Sequence, residues 1–250
     1  MASPLVSIIT PSYNSRLFVW ECYKSIASQT IKDWEWVVTD DASSDGTAEI
    51  IREIAEADPR VKPASFTENR GAARSRNASI DRAEGAFLAF LDIDDYWRKD
   101  KLETQLSAHR DGQAFTFTSF VQFRCSPDED GQVIDPGPAR CFDYDDMLHK
   151  RATLGCSTVM LDRAAVGTKR MPDLRSGQDY AFWLSILKDN VSACLVPEPM
   201  TYYRVLPNSV SRNKFKKARR QWQIYREIEK LSLLHSVWVY KSYAFHALSR

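Results

Sequence analysis

The stretch Phe-Leu-Ala-Phe-Leu-Asp-Ile-Asp-Asp, residues 87–95, passes from five apolar residues to three carboxylates. An apolar run of this length, preceded by Gly85, is typical of a strand that is buried on both faces of a parallel sheet. Such sheets bind ligands beyond the carboxyl ends of their strands. We therefore expect Asp92, Asp94 and Asp95 to lie at a ligand site.

Three acidic groups within four residues repel one another, so water, a cation or a helix N-terminus must compensate them. If the strand continues through Asp94, the side chains of Asp92 and Asp94 point the same way and suit a hard divalent metal. In the alternative, Asp95 caps a helix that begins near Tyr96 and the other two acids are solvated. These residues alone leave both interpretations open.

Strands and helices alternate through the first half of the chain. Strands are predicted over 5–10, 34–39, 61–66 and 86–93, and helices over 18–28, 48–57 and 71–83. This alternation predicts an α/β fold with a parallel, doubly wound sheet and helices on both faces. Each strand ends in a polar loop, so we expect a nucleotide-sized cleft along one edge of the sheet.

The second half mixes short strands and helices. Strands are predicted over 114–124, 156–161, 191–196 and 200–204, helices over 144–150 and 178–188, and a loop or hairpin tip over 126–139. We expect this region to extend the first sheet and to form the second wall of the cleft.

Composition narrows the class of protein. The formal net charge of +1 gives no support for a nucleic-acid partner. The five cysteines are widely spaced and include no C-x-x-C pair, so we expect reduced thiols and neither a zinc site nor a disulfide framework. A leader peptide and an apolar membrane span are not recognisable, so we expect a cytoplasmic protein.

The C-terminal tail, residues 212–250, carries the one asymmetric charge cluster. Residues 212–226 contain seven basic residues and no acid, and residues 231–248 are rich in aromatics. One interpretation is an interfacial anchor on the inner face of the cytoplasmic membrane. The alternative is that the tail packs on the α/β domain, or on a second copy of the chain as a homo-oligomer.

Five motifs occur in order along the chain and together resemble the signatures of family 2 glycosyltransferases. They are Ser-Ile-Ile-Thr-Pro-Ser-Tyr-Asn (7–14), Val-Val-Thr-Asp-Asp-Ala-Ser-Ser-Asp-Gly-Thr (37–47), Asn-Arg-Gly-Ala-Ala-Arg-Ser-Arg-Asn (69–77), Phe-Leu-Asp-Ile-Asp-Asp (90–95) and Gly-Gln-Asp-Tyr-Ala-Phe-Trp-Leu (177–184). The resemblance implies an inverting enzyme of the GT-A fold, with a Rossmann-like nucleotide-binding half (1–95) and an acceptor-binding half (96–211).

Within that family the chain looks most like bacterial enzymes that build teichuronic acid, capsule or O-antigen glycans. The resemblance implies a UDP-sugar donor, Mn²⁺ or Mg²⁺ as cofactor, and a polyprenol-linked glycan acceptor.

The resemblance also assigns nucleotide-binding residues. It places Asp41 or Asp40 at the uracil, whose imide N–H a carboxylate can accept, and Pro11 and Tyr13 at the base and ribose. The alternatives are a helix cap for the acids and a plain strand-to-helix turn for Pro11 and Tyr13. Three further residues are expected at the nucleotide: Asn69, Gly71 and Asp92.

The remaining assignments concern charge and proton transfer. Arg76 is expected near the diphosphate or holding the acidic loop, although an arginine on a helix is often a solvated surface residue. Asp94, with Asp92, is expected to bind the metal. Asp179 matches the general base, and its alternative role is a first-turn residue favoured by the helix dipole.

The chain departs from the family pattern at two positions. Gln178 replaces the first acid of the usual pair before the base, and Leu206 stands where many relatives have a histidine. The surrounding segment 203–211 resembles a loop that closes over the diphosphate, which implicates Arg204, Ser209 and Ser211. Without the histidine, coordination would fall to Asp94, phosphate oxygens and water.

Two other functions compete with glycosyl transfer. A nucleotidyltransferase that makes nucleotide sugars would use a similar sheet, but a Gly-rich, Arg-containing loop is expected after its first strand, where this chain has Pro-Ser-Tyr-Asn (11–14). A non-catalytic sugar-nucleotide binder is compatible with Gln178 and Leu206.

Overall fold

The computed structural model describes residues 3–134, 137–206 and 214–248, and of residues 214–216 and 244–248 it describes only the backbone. Within these residues the centre of the molecule is one mixed sheet of ten strands. The strands are β1 Val6–Ser12, β2 Trp34–Asp40, β3 Val61–Ser65, β4 Phe87–Phe90, β5 Tyr96–Trp97, β6 Phe115–Phe123, β7 Gln132–Ile134, β8 Cys141–Phe142, β9 Val159–Asp162 and β10 Ala193–Arg204.

The order of the sheet is β3-β2-β1-β4-β9-β6-β10-β5, with β7 paired to β6 and β8 paired to β10. The first four strands are parallel, as predicted from the alternation of strands and helices. β9 joins them antiparallel to β4. The second half therefore extends the first sheet, also as predicted, and the carboxyl ends of β1, β2 and β4 lie along one edge.

Helices cover both faces of this sheet. They are α1 Val19–Ala27, α2 Thr47–Ala57, α3 Ala72–Arg82, α4 Lys101–Arg110, α5 Pro127–Asp130, α6 Tyr144–Leu148, α7 Arg163–Val166, α8 Gln178–Leu187, α9 Lys214–Gln223 and α10 Leu233–Leu248. Alternate side chains of β1 divide between two cores. Ile8 packs with α1, α2 and α4, while Ile9 packs with α3, α6 and α8.

Several predicted boundaries are wrong. β4 ends at Phe90 and does not continue to Ile93, and Tyr96 begins a short strand instead of a helix, since α4 starts at Lys101. Residues 156–158 form a 3₁₀ turn before β9. The two strands predicted over 191–204 form one strand, which the irregular register around Pro199 interrupts without ending it.

The C-terminal helices pack on the α/β domain. The chain runs from α9 through a π-helical turn, Ile224–Ile228, into α10. Ile224, Tyr225 and Val239 are buried in the core that contains α8, and the Tyr225 hydroxyl donates to the Leu148 carbonyl at 2.6 Å. The packing predicted as one alternative is therefore present. None of the helices in the described ranges has the length and apolarity that crossing a membrane requires.

The expectation that every cysteine is a reduced thiol is wrong. Cys141 of β8 and Cys194 of β10 are directly opposite each other in an antiparallel pair and form a disulfide. Fifty-three residues separate them in the sequence, so spacing gave no sign of the pair. Cys22, Cys125 and Cys156 are free thiols.

Candidate active site

The three carboxylates that follow β4 lie in a turn at the carboxyl edge of the sheet. The Asp95 backbone N–H donates to the Asp92 carbonyl at 3.0 Å, and we call residues Asp92–Asp95 the acidic turn. The prediction that Asp92 and Asp94 share a direction because the strand continues is wrong, since β4 ends two residues earlier. The turn, and not strand alternation, brings the two side chains to one edge.

Asp95 is the structural member of the turn. Its side chain is buried, and its carboxylate accepts the Ser157 hydroxyl at 2.5 Å and the Arg204 backbone N–H at 2.9 Å. Burial, followed by the charges of Asp94 and Asp92, raises the pKa of Asp95 well above its usual range. The alternative role of Asp95 as a helix N-cap is wrong, because a strand follows it.

Asp92 is paired with Arg76 of α3. Arg76 as a whole is 5% exposed, and its guanidinium donates from Nη2 to Asp92 Oδ1. Burial, the largest effect, would lower the pKa of Arg76, but the charge and hydrogen bond of Asp92 and the neighbouring acidic groups together outweigh it, and the net shift is upward. The alternative that Arg76 is a solvated surface residue is wrong. Its Nε and Nη1 atoms are buried and have no hydrogen-bond partner within the described part of the chain.

Asp94 makes no side-chain ion pair among the described residues. It is partly buried, and burial followed by the charge of Asp92 raises its pKa to about 6. Its backbone carbonyl accepts from Arg204 Nε at 3.1 Å. A hard cation prefers such a carboxylate oxygen.

Asp179 lies within electrostatic range of groups that also feel the charge of Asp92. It is the second residue of α8, after Gly177 in a left-handed conformation, and its Oδ1 accepts from the Tyr180 backbone N–H at 2.8 Å. Both Asp179 and Asp92 act electrostatically on three groups, namely the Arg76 guanidinium, the Cys156 thiol and the Tyr203 hydroxyl. Asp179 and Asp92 therefore both lie within electrostatic range of these three groups.

Asp40 and Asp41 are both buried and differ in their contacts. The Asp40 carboxylate accepts the hydroxyls of Ser12 and Ser43 at 2.9 and 2.6 Å, and the Ser43 N–H at 2.8 Å. Asp40 therefore stabilises the loop that follows β2. Helix α2 takes Gly46 as its N-cap, so neither acid caps that helix.

Asp41 connects β2 to the loop that leads into α3. Its two oxygens accept the backbone N–H groups of Arg70 and Gly71 at 2.7 and 2.8 Å, while Asn69 Nδ2 lies 3.4 Å from the Asp41 carbonyl. Gly71 has a φ of 89°, which a side chain disfavours. A carboxylate has about four lone-pair sites, so Asp41 retains capacity for a further donor.

Pro11 and Tyr13 follow one another at the end of β1. Pro11 lies within the strand, opposite Thr39 of β2, which excludes the plain turn as its role. Tyr13 comes directly after the strand and is 52% exposed. Its ring is therefore accessible at the edge where Asp41 lies.

Arg204, at the end of β10, secures the acidic turn to α1. Besides its contacts to Asp94 and Asp95, its guanidinium donates to Glu21 Oε2 at 2.5 Å and stands 4.8 Å from the Phe123 ring centre. Ser209 and Ser211, the other two residues predicted in this segment, lie outside the described residues.

Sequence reasoning missed Ser157, which contacts both ends of the acidic turn. No motif surrounds it, and only the antiparallel pairing of β9 with β4 brings it to the site. It also missed Glu21, since a carboxylate on the exposed side of an amphipathic helix carries no signal of a distant partner.

Comparison with known proteins identifies the family. The family model described as glycosyl transferase family 2 matches residues 7–166. The chain belongs to this family. A Bacillus subtilis (strain 168) protein provisionally named the teichuronic acid biosynthesis glycosyltransferase TuaG is 40% identical over 250 residues, covering 99% of this chain and 97% of the relative. The Escherichia coli UDP-Glc:alpha-D-GlcNAc-diphosphoundecaprenol beta-1,3-glucosyltransferase WfgD is 37% identical, covering 88% and 85%.

Solved structures agree with the fold of a GT-A glycosyltransferase. S. aureus TarS residues 1–349 in complex with UDP superposes with a TM-score of 0.69 at 22% identity, covering 94% of this chain and 69% of that one. The mannosyltransferase PcManGT from Pyrobaculum calidifontis, in complex with GDP-Man and Mn²⁺, has a TM-score of 0.70 at 19% identity, covering 98% and 74%. The predicted α/β GT-A fold and family are confirmed.

The carboxylates of the acidic turn suit a metal ion only if a bound substrate supplies further oxygen ligands. Among the described residues, groups of three or more His, Cys, Asp or Glu side chains that could hold a metal are absent. Asp94, with the second oxygen of Asp92, supplies one or two carboxylates. Mg²⁺ is commonly bound by one or two carboxylates plus substrate phosphates, so these residues suit a metal that arrives with a nucleotide diphosphate.

Proposed function

We propose that this family 2 glycosyltransferase moves a sugar from a UDP-sugar to a hydroxyl of a lipid-linked glycan, with inversion and with a divalent metal, in bacterial surface polysaccharide synthesis. The observation that carries the proposal is the pairing of buried Arg76 with Asp92 of the acidic turn, with Asp179 near enough to help raise the pKa of Arg76. The names of TuaG and WfgD support the pathway and the UDP-sugar and diphospholipid chemistry.

Asp179 is the proposed general base. A sugar hydroxyl is a poor nucleophile until its proton is removed, and a positioned carboxylate contributes about 10²–10⁴-fold to the rate. The Tyr180 backbone N–H holds the Asp179 carboxylate at 2.8 Å, and the tail packs closely on the start of α8, since a Cβ atom at Gly177 would stand only 3.0 Å from Ile224 Cδ1. With one base and a single displacement, the configuration at the anomeric carbon inverts.

The leaving diphosphate gains negative charge as the bond to the sugar breaks. The Arg76 guanidinium, which Asp92 holds in place, provides a fixed positive charge close to the acidic turn, and a fixed charge of this kind stabilises developing negative charge. A Mn²⁺ or Mg²⁺ ion, when held by Asp94, Asp92 and the phosphate oxygens, supplies several kcal/mol of further stabilisation.

The nucleotide is proposed to lie along the ends of β1 and β2. Asp41 accepts the imide N–H of uracil, and the exposed ring of Tyr13 packs on the base beside Pro11. Asn69 and Gly71 form the loop that Asp41 fixes, and Asp40 holds the adjoining turn. Arg204 fixes the acidic turn. Its own charge is paired with Glu21, so we do not assign it a direct contact with the diphosphate.

Transfer assays test this function directly. The purified protein is incubated with a panel of UDP-sugars, Mn²⁺ and a synthetic diphospholipid-linked sugar, and UDP release and the anomeric configuration of the product are measured. We expect release that requires both metal and acceptor, and a product of inverted configuration. UDP-sugar binding without release would favour the non-catalytic binder. Pyrophosphate release in a parallel assay with UTP and a sugar 1-phosphate would favour the nucleotidyltransferase.

The tail is proposed to hold the enzyme peripherally on the inner face of the cytoplasmic membrane, beside its lipid-linked acceptor. One face of α10 packs on the domain, but the other exposes Leu233, Leu234, Val237 and Trp238, with exposures of 58, 85, 40 and 65%. We call these four residues the apolar face of α10. Exposed basic residues lie within α9, between the two helices and within α10: Lys217 and Arg219, Arg226 and Lys230, and Lys241.

An apolar face with an exposed Trp and neighbouring basic residues suits an anionic lipid surface. Each basic residue near such a surface contributes about 1 kcal/mol of binding free energy. Truncating the tail would not test this, because Ile224, Tyr225 and Val239 belong to the core.

Point variants on the apolar face avoid that problem. Leu234→Glu is expected to weaken co-sedimentation with phosphatidylglycerol-containing vesicles, while Val133→Glu, at an exposed apolar residue of β7, leaves it unchanged. Binding of the wild type should fall with added salt. Equal sedimentation of both variants, or none by the wild type, would contradict membrane attachment, and a concentration-dependent dimer that Leu234→Glu dissociates would favour the homo-oligomer.

A further inference from the structure

Ser157 lies beside the acidic turn because of the sheet topology. β9 runs antiparallel to β4, with Met160 opposite Ala89, so the residues that precede β9 lie next to the residues that follow β4. The 3₁₀ turn Cys156–Thr158 occupies that position. Ser157 is 1% exposed, so its hydroxyl is removed from bulk water and must find its partners within the protein.

The Ser157 hydroxyl contacts both ends of the acidic turn. Its Oγ donates to Asp95 Oδ2 at 2.5 Å and accepts the Asp92 backbone N–H at 3.0 Å. A single hydroxyl therefore fixes the spacing between the first and last residues of the turn. Asp94 lies between Asp92 and Asp95, the two residues that the Ser157 hydroxyl holds.

The backbone of Ser157 is itself fixed. Its carbonyl accepts the Trp97 indole N–H at 2.8 Å and the Thr201 hydroxyl at 3.1 Å. These contacts tie Ser157 to β5 and β10, so the hydroxyl is positioned by the sheet and not by a mobile loop. Mutual repulsion of three neighbouring carboxylates would otherwise spread the turn.

We propose that Ser157 is a positioning residue, whose hydroxyl holds the acidic turn in the geometry that receives the metal and the diphosphate. The inference rests on the proposed function and adds a residue outside the five motifs. Groups that orient metal ligands without touching the metal typically change metal affinity or activity by about 10- to 100-fold when they are mutated.

The test compares Ser157→Ala with Thr158→Val. Thr158 is the neighbouring buried residue, and its hydroxyl donates to the Gly155 carbonyl at 2.7 Å, away from the acidic turn. Calorimetry of UDP binding is done with and without Mn²⁺, alongside thermal unfolding. We expect Ser157→Ala to weaken Mn²⁺-dependent UDP binding by about 10- to 100-fold while metal-free UDP binding stays the same, and Thr158→Val to leave both unchanged.

Two results would overturn the inference. One is a Ser157→Ala variant that melts at a lower temperature but keeps the wild-type response to Mn²⁺, because the hydroxyl would then serve stability alone. The other is an equal loss of Mn²⁺ response in Thr158→Val. If the wild type itself shows no Mn²⁺-dependent UDP binding, the proposed metal chemistry fails, and this outcome is distinguished by the wild-type titration.

Discussion

The buried guanidinium of Arg76 is paired with the carboxylate of Asp92, and this pair joins α3 to the turn that follows β4. Asp179, at the start of α8, contributes to the raised pKa of Arg76. The Nε and Nη1 atoms of Arg76 have no hydrogen-bond partner within the described ranges.

Removing the guanidinium is expected to destabilise the protein. Arg76→Met leaves Asp92 without its cation, and breaking a buried pair in this way lowers the free energy of unfolding by about 3–5 kcal/mol. Chemical denaturation measures the effect. Arg74→Met is the matched control on the same helix, since Arg74 pairs with Asp173 at an exposed position and its loss should change stability by less than about 1 kcal/mol. Equal effects of the two variants would contradict a buried ion pair.

Asp94 is predicted to connect metal and nucleotide binding. In Asp94→Asn the carboxylate loses its charge, so calorimetry should show UDP binding that no longer responds to Mn²⁺. Asp100→Asn, at an acid that pairs with Arg98 downstream of the turn, is the control and should behave as the wild type. A normal Mn²⁺ response in Asp94→Asn would place the metal elsewhere.

His109 gives the stability of the protein a defined pH dependence. Burial lowers its pKa to about 4, below the ordinary value of 6.5, so the folded state keeps the ring neutral while the unfolded state takes up a proton. The contribution of neutral His109 to the free energy of unfolding is therefore fully present above pH 6.5. This contribution, roughly 3 kcal/mol, is lost as the pH falls toward 4. His109→Gln should flatten stability between these pH values, whereas His235→Gln, at an exposed site, should not. Parallel curves for His109→Gln and wild type would contradict this.

The disulfide between Cys141 and Cys194 is expected to stabilise the fold. It closes a loop across 53 residues of sequence, for which loss of unfolded-state entropy predicts about 2–4 kcal/mol. Cys194→Ser should lower the denaturation midpoint and abolish the response to reductant, while Cys125→Ser, an exposed free thiol, should do neither. Finding both thiols free by mass spectrometry without reductant would contradict the disulfide.

Local patterns predicted much of the architecture. β1, β2 and α3 follow from apolar periodicity and turn residues, and their order implied the parallel half of the sheet. The same reasoning predicted a β4 strand that is too long. The apolar residues Leu91 and Ile93 continue the sequence pattern of the strand beyond its last residue, Phe90. Both side chains are buried in the core beneath α1 and α4, although neither residue belongs to the strand.

What the sequence could not predict depends on contacts between distant segments. Ser157 reaches the acidic turn across 62 residues and Glu21 reaches Arg204 across 183, and neither carries a local signal. The pairing of β8 with β10, which brings the two disulfide cysteines together, also depends on contact between distant segments. The roles assigned to Asp41, Asp94 and Asp179 are proposals, and the electrostatic influence of Asp92 and Asp179 on the same three groups supports them.

The most direct measurement is the transfer rate of Asp179→Asn, taken together with its affinity for UDP. The substitution keeps the shape of the side chain and removes the base, so we predict that UDP binding persists while acceptor-dependent UDP release falls by about 10²–10⁴-fold. Asp173→Asn, at an exposed carboxylate, should retain the wild-type rate. A fully active Asp179→Asn enzyme with normal UDP affinity would contradict the account.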